Sequence, residues 1–212
     1  MNFHKFKVAI QNSPVFSGRD AARLGTRQTM YNQLTNWQRK GLIIQLKRGL
    51  YVLGGPDRKI EPSALFLSGQ LYAPSYVSLE YALALHGLIP EMVTTVTAVT
   101  TKNPASFKTE LGGFEYQHIK REAFRGFKAA KDPAGLTYFI AEPEKAVVDF
   151  IYLNLPRFKR GDLEIFAQSY RFQNLESLNL KKLKTYAGLF AATKLVDVIN
   201  GFSRFAREAR KP

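Results

Sequence analysis

Five side chains at helical spacing, Gln28, Tyr31, Asn32, Thr35 and Arg39, carry the chemistry that most narrows what this chain can do. At about 100° per residue, Gln28, Asn32, Thr35 and Arg39 fall on one stripe with Tyr31 flanking it, and Met30, Leu34 and Trp37 fall on the opposite one. The apolar stripe packs. The polar one suits a partner that can be read by hydrogen bonds, since Gln and Asn can pair bidentately with adenine and Arg can reach guanine or a phosphate. Lys47 and Arg48 follow closely in sequence and add two cations.

The elements needed to hold these groups are legible around them. Ser17 stands three residues before Asp20, the spacing of a capping box, and opens a short helix over 19–24 that Gly25 ends. Thr26 caps a second helix over 27–40, closed by Gly41, which adopts the left-handed backbone at little cost. Two helices joined by so tight a turn cross steeply. Two β-rich runs, 42–47 and 50–53, then flank the two-residue turn Arg48-Gly49. Residues 14–53 therefore read as a winged helix-turn-helix with Lys47 and Arg48 at the wing tip. The alternative is a small helical domain whose polar stripe faces water, and the basic wing tip counts against it.

Charge points the same way. The 212 residues carry 31 Lys and Arg against 17 Asp and Glu, a net +14, with a pI near 10.0. Residues 1–60 hold 11 basic and 2 acidic side chains, a surplus of 9, and the remainder holds 20 and 15, a surplus of 5. A basic face beside a reading helix attracts the phosphate backbone by counterion release. An anionic membrane or an acidic protein could use the same charge, but neither accounts for the polar stripe.

The composition, 45% hydrophobic, is that of a folded globular protein. There are no cysteines, hence neither disulfides nor thiolate metal sites, which suits a reducing compartment. No run approaches the roughly 18 apolar residues of a membrane span, and the start Met-Asn-Phe-His-Lys lacks the apolar region of a signal peptide. A cytoplasmic protein without membrane contact is expected.

Turn formers and charges at 54–59 mark a boundary, giving an expected winged-helix domain over 1–55 and a second domain over 60–212. There, helices are predicted over 64–72 and 79–86, the latter capped by Ser78, and strands over 93–101, 114–119 and 136–141. Pro143 opens a helix with Ala146, Val147, Phe150 and Ile151 on one buried stripe. From Gly161 onward the apolar spacing is helical: Leu163, Phe166 and Tyr170; Leu180, Leu183 and Tyr186; Leu195, Val198, Ile199, Phe202 and Phe205. Arg204, Arg207, Arg210 and Lys211 bring positive charge to the last helix end, where the macrodipole favours it; a second nucleic-acid contact is the other use open to them. The expected fold class is α+β, a winged helix-turn-helix followed by a mixed α/β domain with a helical carboxy-terminal region.

Catalytic constellations are weak. His4, His86 and His118 have no carboxylate partner at helical spacing. Gly112-Gly113 fits a hairpin turn better than a phosphate loop. Glu142, Glu144, Lys145 and Asp149 invite a metal-nuclease reading, but Pro143 stands where an acid-x-lysine arrangement needs its carboxylate, and acids are favoured at a helix start in any case. No metal, no cofactor and no enzymatic activity are expected.

Four segments together resemble the abortive-infection AbiEi antitoxins: the wing Lys47-Arg48-Gly49-Leu50-Tyr51, the run from Tyr76 through Ser78, Glu80 and His86 to Leu88, Thr100-Thr101-Lys102 after a strand, and the stretch from Ala141 through Glu144 and Lys145 to Asp149. Their order and approximate spacing match over residues 14–155. The resemblance implies the antitoxin half of a type IV toxin–antitoxin pair, whose toxin is a nucleotidyltransferase-like protein neutralised without a stable complex. It implies too that the winged helix represses the pair's own promoter, usually at inverted repeats in double-stranded DNA. Carried onto this sequence, the DNA-reading positions are Gln28, Tyr31, Asn32, Thr35, Arg39, Lys47 and Arg48; Arg19 and Arg27 at the two helix starts are grouped with them as DNA-binding residues. The second-domain motif positions are Ser78, Glu80, His86, Lys102, Glu144 and Lys145, for which roles as caps and core-edge groups compete. Two other classes stay open: a stand-alone winged-helix transcription factor with a ligand-sensing second domain, and a nuclease acting where the winged helix docks.

Overall fold

The computed structural model describes residues 1–159 and 161–209, apart from the side chain of Arg27. The chain opens with a helix absent from the sequence reading, α1 (Phe3–Ile10), whose first turn Asn2 caps by accepting from Lys5 N–H. Phe3, Phe6 and Ile10 lie along one side of it, and Phe6 and Ile10 are buried. After β1 (Phe16–Ser17) comes α2 (Gly18–Ala22), held by the expected capping box: Ser17 Oγ accepts from Asp20 N–H at 3.2 Å and Asp20 Oδ2 accepts from Ser17 N–H at 2.8 Å. Thr26 caps α3 (Arg27–Arg39), and Gly41 leaves it at φ +69°. β2 (Ile43–Lys47) and β3 (Leu50–Leu53) are antiparallel around Arg48-Gly49, with β1 on the far side of β3 in a sheet of order β1-β3-β2. This is the winged helix-turn-helix read from the sequence.

Its core gathers Phe6, Phe16, Met30, Leu34, Trp37, Ile43, Tyr51 and Leu53 among others. Trp37 sits at its centre, 4.6 Å from Phe6 and 5.4 Å from Phe3 between ring centroids.

The remainder is mixed α and β. Helix α4 (Ala64–Leu71) and strand β4 (Ser75–Val77) precede α5 (Leu79–Leu85); then follow β5 (Val96–Thr100), β6 (Ala105–Thr109), β7 (Gly112–His118), β8 (Phe127–Lys131), β9 (Thr137–Ala141) and α6 (Pro143–Leu153). The sheet runs β6-β7-β5-β4-β9-β8, with β5 parallel to β7 and β4 parallel to β9 and the other pairs antiparallel. Gly112-Gly113 begins the second strand of a β6–β7 hairpin, as its turn character suggested. A π-helical turn (Ile165–Ser169) and a short 3-10 turn (Leu175–Ser177) lead to α7 (Leu180–Gly188) and α8 (Thr193–Glu208). Arg204 and Arg207 are exposed on α8; Arg210 and Lys211 lie outside the described residues.

The wing sheet is buried on both faces. Side chains alternate along a strand, so Tyr51 and Leu53 enter the winged-helix core and Val52 points the other way, into the larger core. Ile44 pairs with Val52, so alternation turns Leu46 the same way, and the bulge between Gln45 and Lys47 brings Lys47 opposite Leu50 onto that face too. β2 accordingly lies against β6, and Lys7 Nζ reaches Asp57 Oδ1 at 2.7 Å across the chain boundary near residue 55. Contacts therefore cross this boundary.

Candidate nucleic-acid interface

Helix α3 presents Gln28, Tyr31, Asn32, Thr35 and Arg39 to solvent, the face opposite Met30, Leu34 and Trp37. Tyr31 is the exposed large aromatic side chain of α3, 67% open. Gln28 Nε2 leans toward Asn32 Oδ1 at 3.4 Å, a contact weak enough to yield to a base edge. Thr35 Oγ1 donates to Tyr31 O at 3.0 Å, leaving its lone pairs outward. Arg19 on α2 and Arg48 at the wing tip are exposed.

An open groove of about 880 Å³ joins these elements, lined by Gly18 and Arg19 from the start of α2, Tyr31 from α3, and Arg48, Gly49 and Tyr51 from the wing. The two guanidinium-bearing residues and the Tyr31 hydroxyl thus share one concave surface. Burial pushes the Tyr51 hydroxyl up from its ordinary value, with Tyr31 adding to the effect, so it stays protonated and neutral at the groove wall.

Lys47 is placed differently from the sequence expectation. Its Nζ donates to Leu71 O at 2.5 Å, at the end of α4, and not toward the groove. Arg48, the next residue, keeps the outward position. Nothing about the residue types distinguishes the two; the carbonyl that holds Lys47 lies 24 residues further along the chain.

Residues 6–54 match a family model described as a transcriptional regulator, the AbiEi antitoxin. Over this span the chain is similar to the AbiEi antitoxin regulators. No curated protein matches the chain. The matched span covers most of α1 and runs through the wing to Gly54, so it includes every residue that lines the groove and every exposed polar side chain of α3.

The six motif residues of the second region do not assemble into one site. Ser78 and Lys145 are brought together, around a residue that the motif contained without a role: Asp149. Its Oδ2 accepts from Ser78 Oγ at 2.9 Å and Tyr76 Oη at 3.0 Å, and its Oδ1 pairs with Lys145 Nζ. The side chains of Lys145 and Asp149 are wholly buried, with the Phe190 ring 4.9 Å from the Lys145 ammonium. Burial drives the Asp149 carboxyl up and the Lys145 ammonium down, and the attraction of each for the other works against that drift. Burial and then Asp149 hold the Tyr76 hydroxyl well above the usual tyrosine range, so it remains a donor.

Ser78 does occupy the N-cap of α5, but its hydroxyl is committed to Asp149 and does not cap the helix; the expected cap gives way to a buried acceptor from a distant segment. Glu144 Oε1 accepts from Asn179 N–H at 2.7 Å, tying α7 to the start of α6. His86 Nε2 meets Ala141 O at 2.9 Å. Lys102 Nζ donates to Ala73 O at 2.5 Å. Glu80 stands apart, half-buried at the edge of a groove of about 230 Å³. Among the described residues, no three His, Cys, Asp or Glu side chains are grouped so as to hold a metal ion, and no helix is long and apolar enough to cross a membrane.

Proposed function

We propose that this protein is a DNA-binding autorepressor and the antitoxin of a type IV toxin–antitoxin pair, acting without catalysis on its own promoter in the cytoplasm. What carries the reading is the exposed polar face of α3 set beside Arg19 and Arg48 in a segment similar to the AbiEi antitoxin regulators. In it, Gln28 and Asn32 read base edges in the major groove, Thr35 and Arg39 extend that contact, and Arg19, Arg27, Tyr31 and Arg48 position the backbone. Residues 60–212 relieve the toxicity of a nucleotidyltransferase-like toxin without forming a stable complex with it.

Two measurements test this. Titration of the chain's own promoter duplex across a salt series gives the electrostatic part: log affinity falls linearly with log salt, with a slope of roughly −0.9 for each phosphate contacted. Binding that hardly changes between low and physiological salt would rule it out. Growth of cells expressing the neighbouring gene product, with and without this chain, tests the antitoxin part; growth arrest that this chain leaves unrelieved would end it.

The groove lined by Glu80, Ile89, Phe150, Arg157 and Tyr170 favours the other regulator reading, in which a small molecule bound to the second region controls repression. Its volume of about 230 Å³ is below the ~300 Å³ at which ligand pockets ordinarily begin, so this reading ranks second. A promoter released by a metabolite fraction, in cells lacking any toxin gene, would reverse the order.

A further inference from the structure

The wing carries two adjacent cations with opposite fates. Arg48 is exposed at the tip; Lys47, half-buried, sends its ammonium to Leu71 O. The last carbonyls of a helix have no partner within it and form the negative end of its dipole. At α4 that end receives two lysines, Lys47 from the wing and Lys102 from the connection after β5, the latter donating to Ala73 O and lying 5.3 Å from the centre of the Tyr72 ring. Burial, and then the charge of Lys102, push the Lys47 ammonium down from its ordinary value. Leu46, next to Lys47 in the chain, is set into the larger core, and Leu50, paired with Lys47 across the wing, packs against that core. The bulge between Gln45 and Lys47 is what turns this edge of the wing inward while the next residue remains at the surface.

We propose that Lys47 is a positioning residue for promoter recognition: it fastens the wing to the carboxy end of α4 and so fixes where Arg48 meets the DNA backbone. The second region then contributes to DNA binding without touching DNA. This rests on the DNA-binding reading above and adds to it a role for the larger domain.

Salt dependence separates a positioning lysine from a phosphate-contacting one, because only the latter releases counterions. The full chain, Arg48→Ala, Lys47→Met and Lys47→Gln are titrated against the promoter duplex between low and physiological salt, and their thermal unfolding is followed in parallel. Arg48→Ala is expected to weaken binding and to reduce the steepness of the log–log line by about 0.9. Lys47→Met is expected to weaken binding on the order of tenfold, the scale of one lost hydrogen bond to a charged group, with the steepness unchanged. Lys47→Gln keeps a donor for the carbonyl without the charge, so it should lose less affinity and also keep the wild-type steepness. It decides the matter if the methionine variant does not fold. A fall of about 0.9 in steepness for either Lys47 variant, with wild-type binding intact, makes Lys47 a phosphate contact and overturns the proposal. Unchanged affinity in a folded Lys47→Met overturns it as well. A wild-type chain that binds no promoter DNA takes the DNA-binding reading down with it.

Discussion

The two regions of this molecule treat polar side chains in opposite ways. Among the described side chains of residues 1–55 the buried ones are apolar, and most polar ones face out or cap helix ends, Lys47 and Lys7 at the join being the exceptions. In the larger region Ser78, Asp132, Glu144, Lys145 and Asp149 are all buried; Ser78, Asp132, Glu144 and Asp149 bond to distant segments, and Lys145 pairs with Asp149 on its own helix. On α3 the polar side chains Gln28, Asn32 and Thr35 bond within their own helix and stay exposed to solvent. A region that turns its charges inward has used them to hold segments together, so its motif residues speak first of architecture.

The sharpest way to break this contrast is at the centre of the inward-facing network. Asp149→Ala leaves the Lys145 ammonium buried and unpaired and should cost about 3–5 kcal/mol in chemical denaturation, whereas replacing both residues by apolar ones of similar size should recover most of the loss. A cost under about 1 kcal/mol for the single change would show that the pair stabilises nothing.

Next in size is the join between the regions. Leu46→Ala should cost about 2–5 kcal/mol, because the side chain belongs to the larger core although its strand belongs to the wing. Trp37, the chain's one tryptophan, lies in the smaller core, so its fluorescence reports that core while far-UV circular dichroism reports the whole. The two transitions should coincide in the wild type and separate in Leu46→Ala. Transitions already separate in the wild type would mean that the shared sheet does not couple the cores.

On the outward-facing side, Asn32→Ala or Gln28→Ala should cost about 1–3 kcal/mol at the promoter site and little on random duplex, with the unfolding midpoint unmoved. An equal loss on both duplexes would mean that another face of α3 enters the groove.

The smallest effect concerns the capping box. Ser17→Ala should cost about 1 kcal/mol. The Ser17 hydroxyl and N–H hold the Asp20 carboxyl below its ordinary value, so the contribution is complete above the unfolded value and fades as pH falls through the lower folded one. Trp37 fluorescence followed from pH 5 to 2 should therefore show an acid-side loss of stability that shrinks in Ser17→Ala; an unchanged profile would assign it to other carboxylates.

What was legible in the sequence was local. Ser17 and Asp20, Thr26 and Gly41 bound their helices within a few residues, and the stripes of α3 follow from its period alone. Helix α1 carries a comparable signal, Asn2 as a cap and Phe3, Phe6 and Ile10 along one side, but stands outside the segment from Pro14 that completes the winged-helix pattern. Strand β8, Phe-Lys-Ala-Ala-Lys, has little β-propensity; pairing with β9 makes it a strand, and Lys128 and Lys131 guard its open edge. The fates of Ser78 and Lys47 were illegible because Asp149 and Leu71 reach them through the fold. One clue to the wing's second contact was present: Leu50-Tyr51-Val52-Leu53 has no polar alternation, the pattern of a strand covered on both sides.

That double covering bears on how such a protein can be inherited and rebuilt. A reading head whose sheet has one dry face can be grafted onto many outputs; here Leu46, Lys47 and Val52 form half of a joint whose other half is the end of α4 and the strand β6. Shuffling the head onto an unrelated body would strand an apolar patch and a lysine without its carbonyl, so head and body are expected to change together, and a chimera would need the joint transplanted with the head.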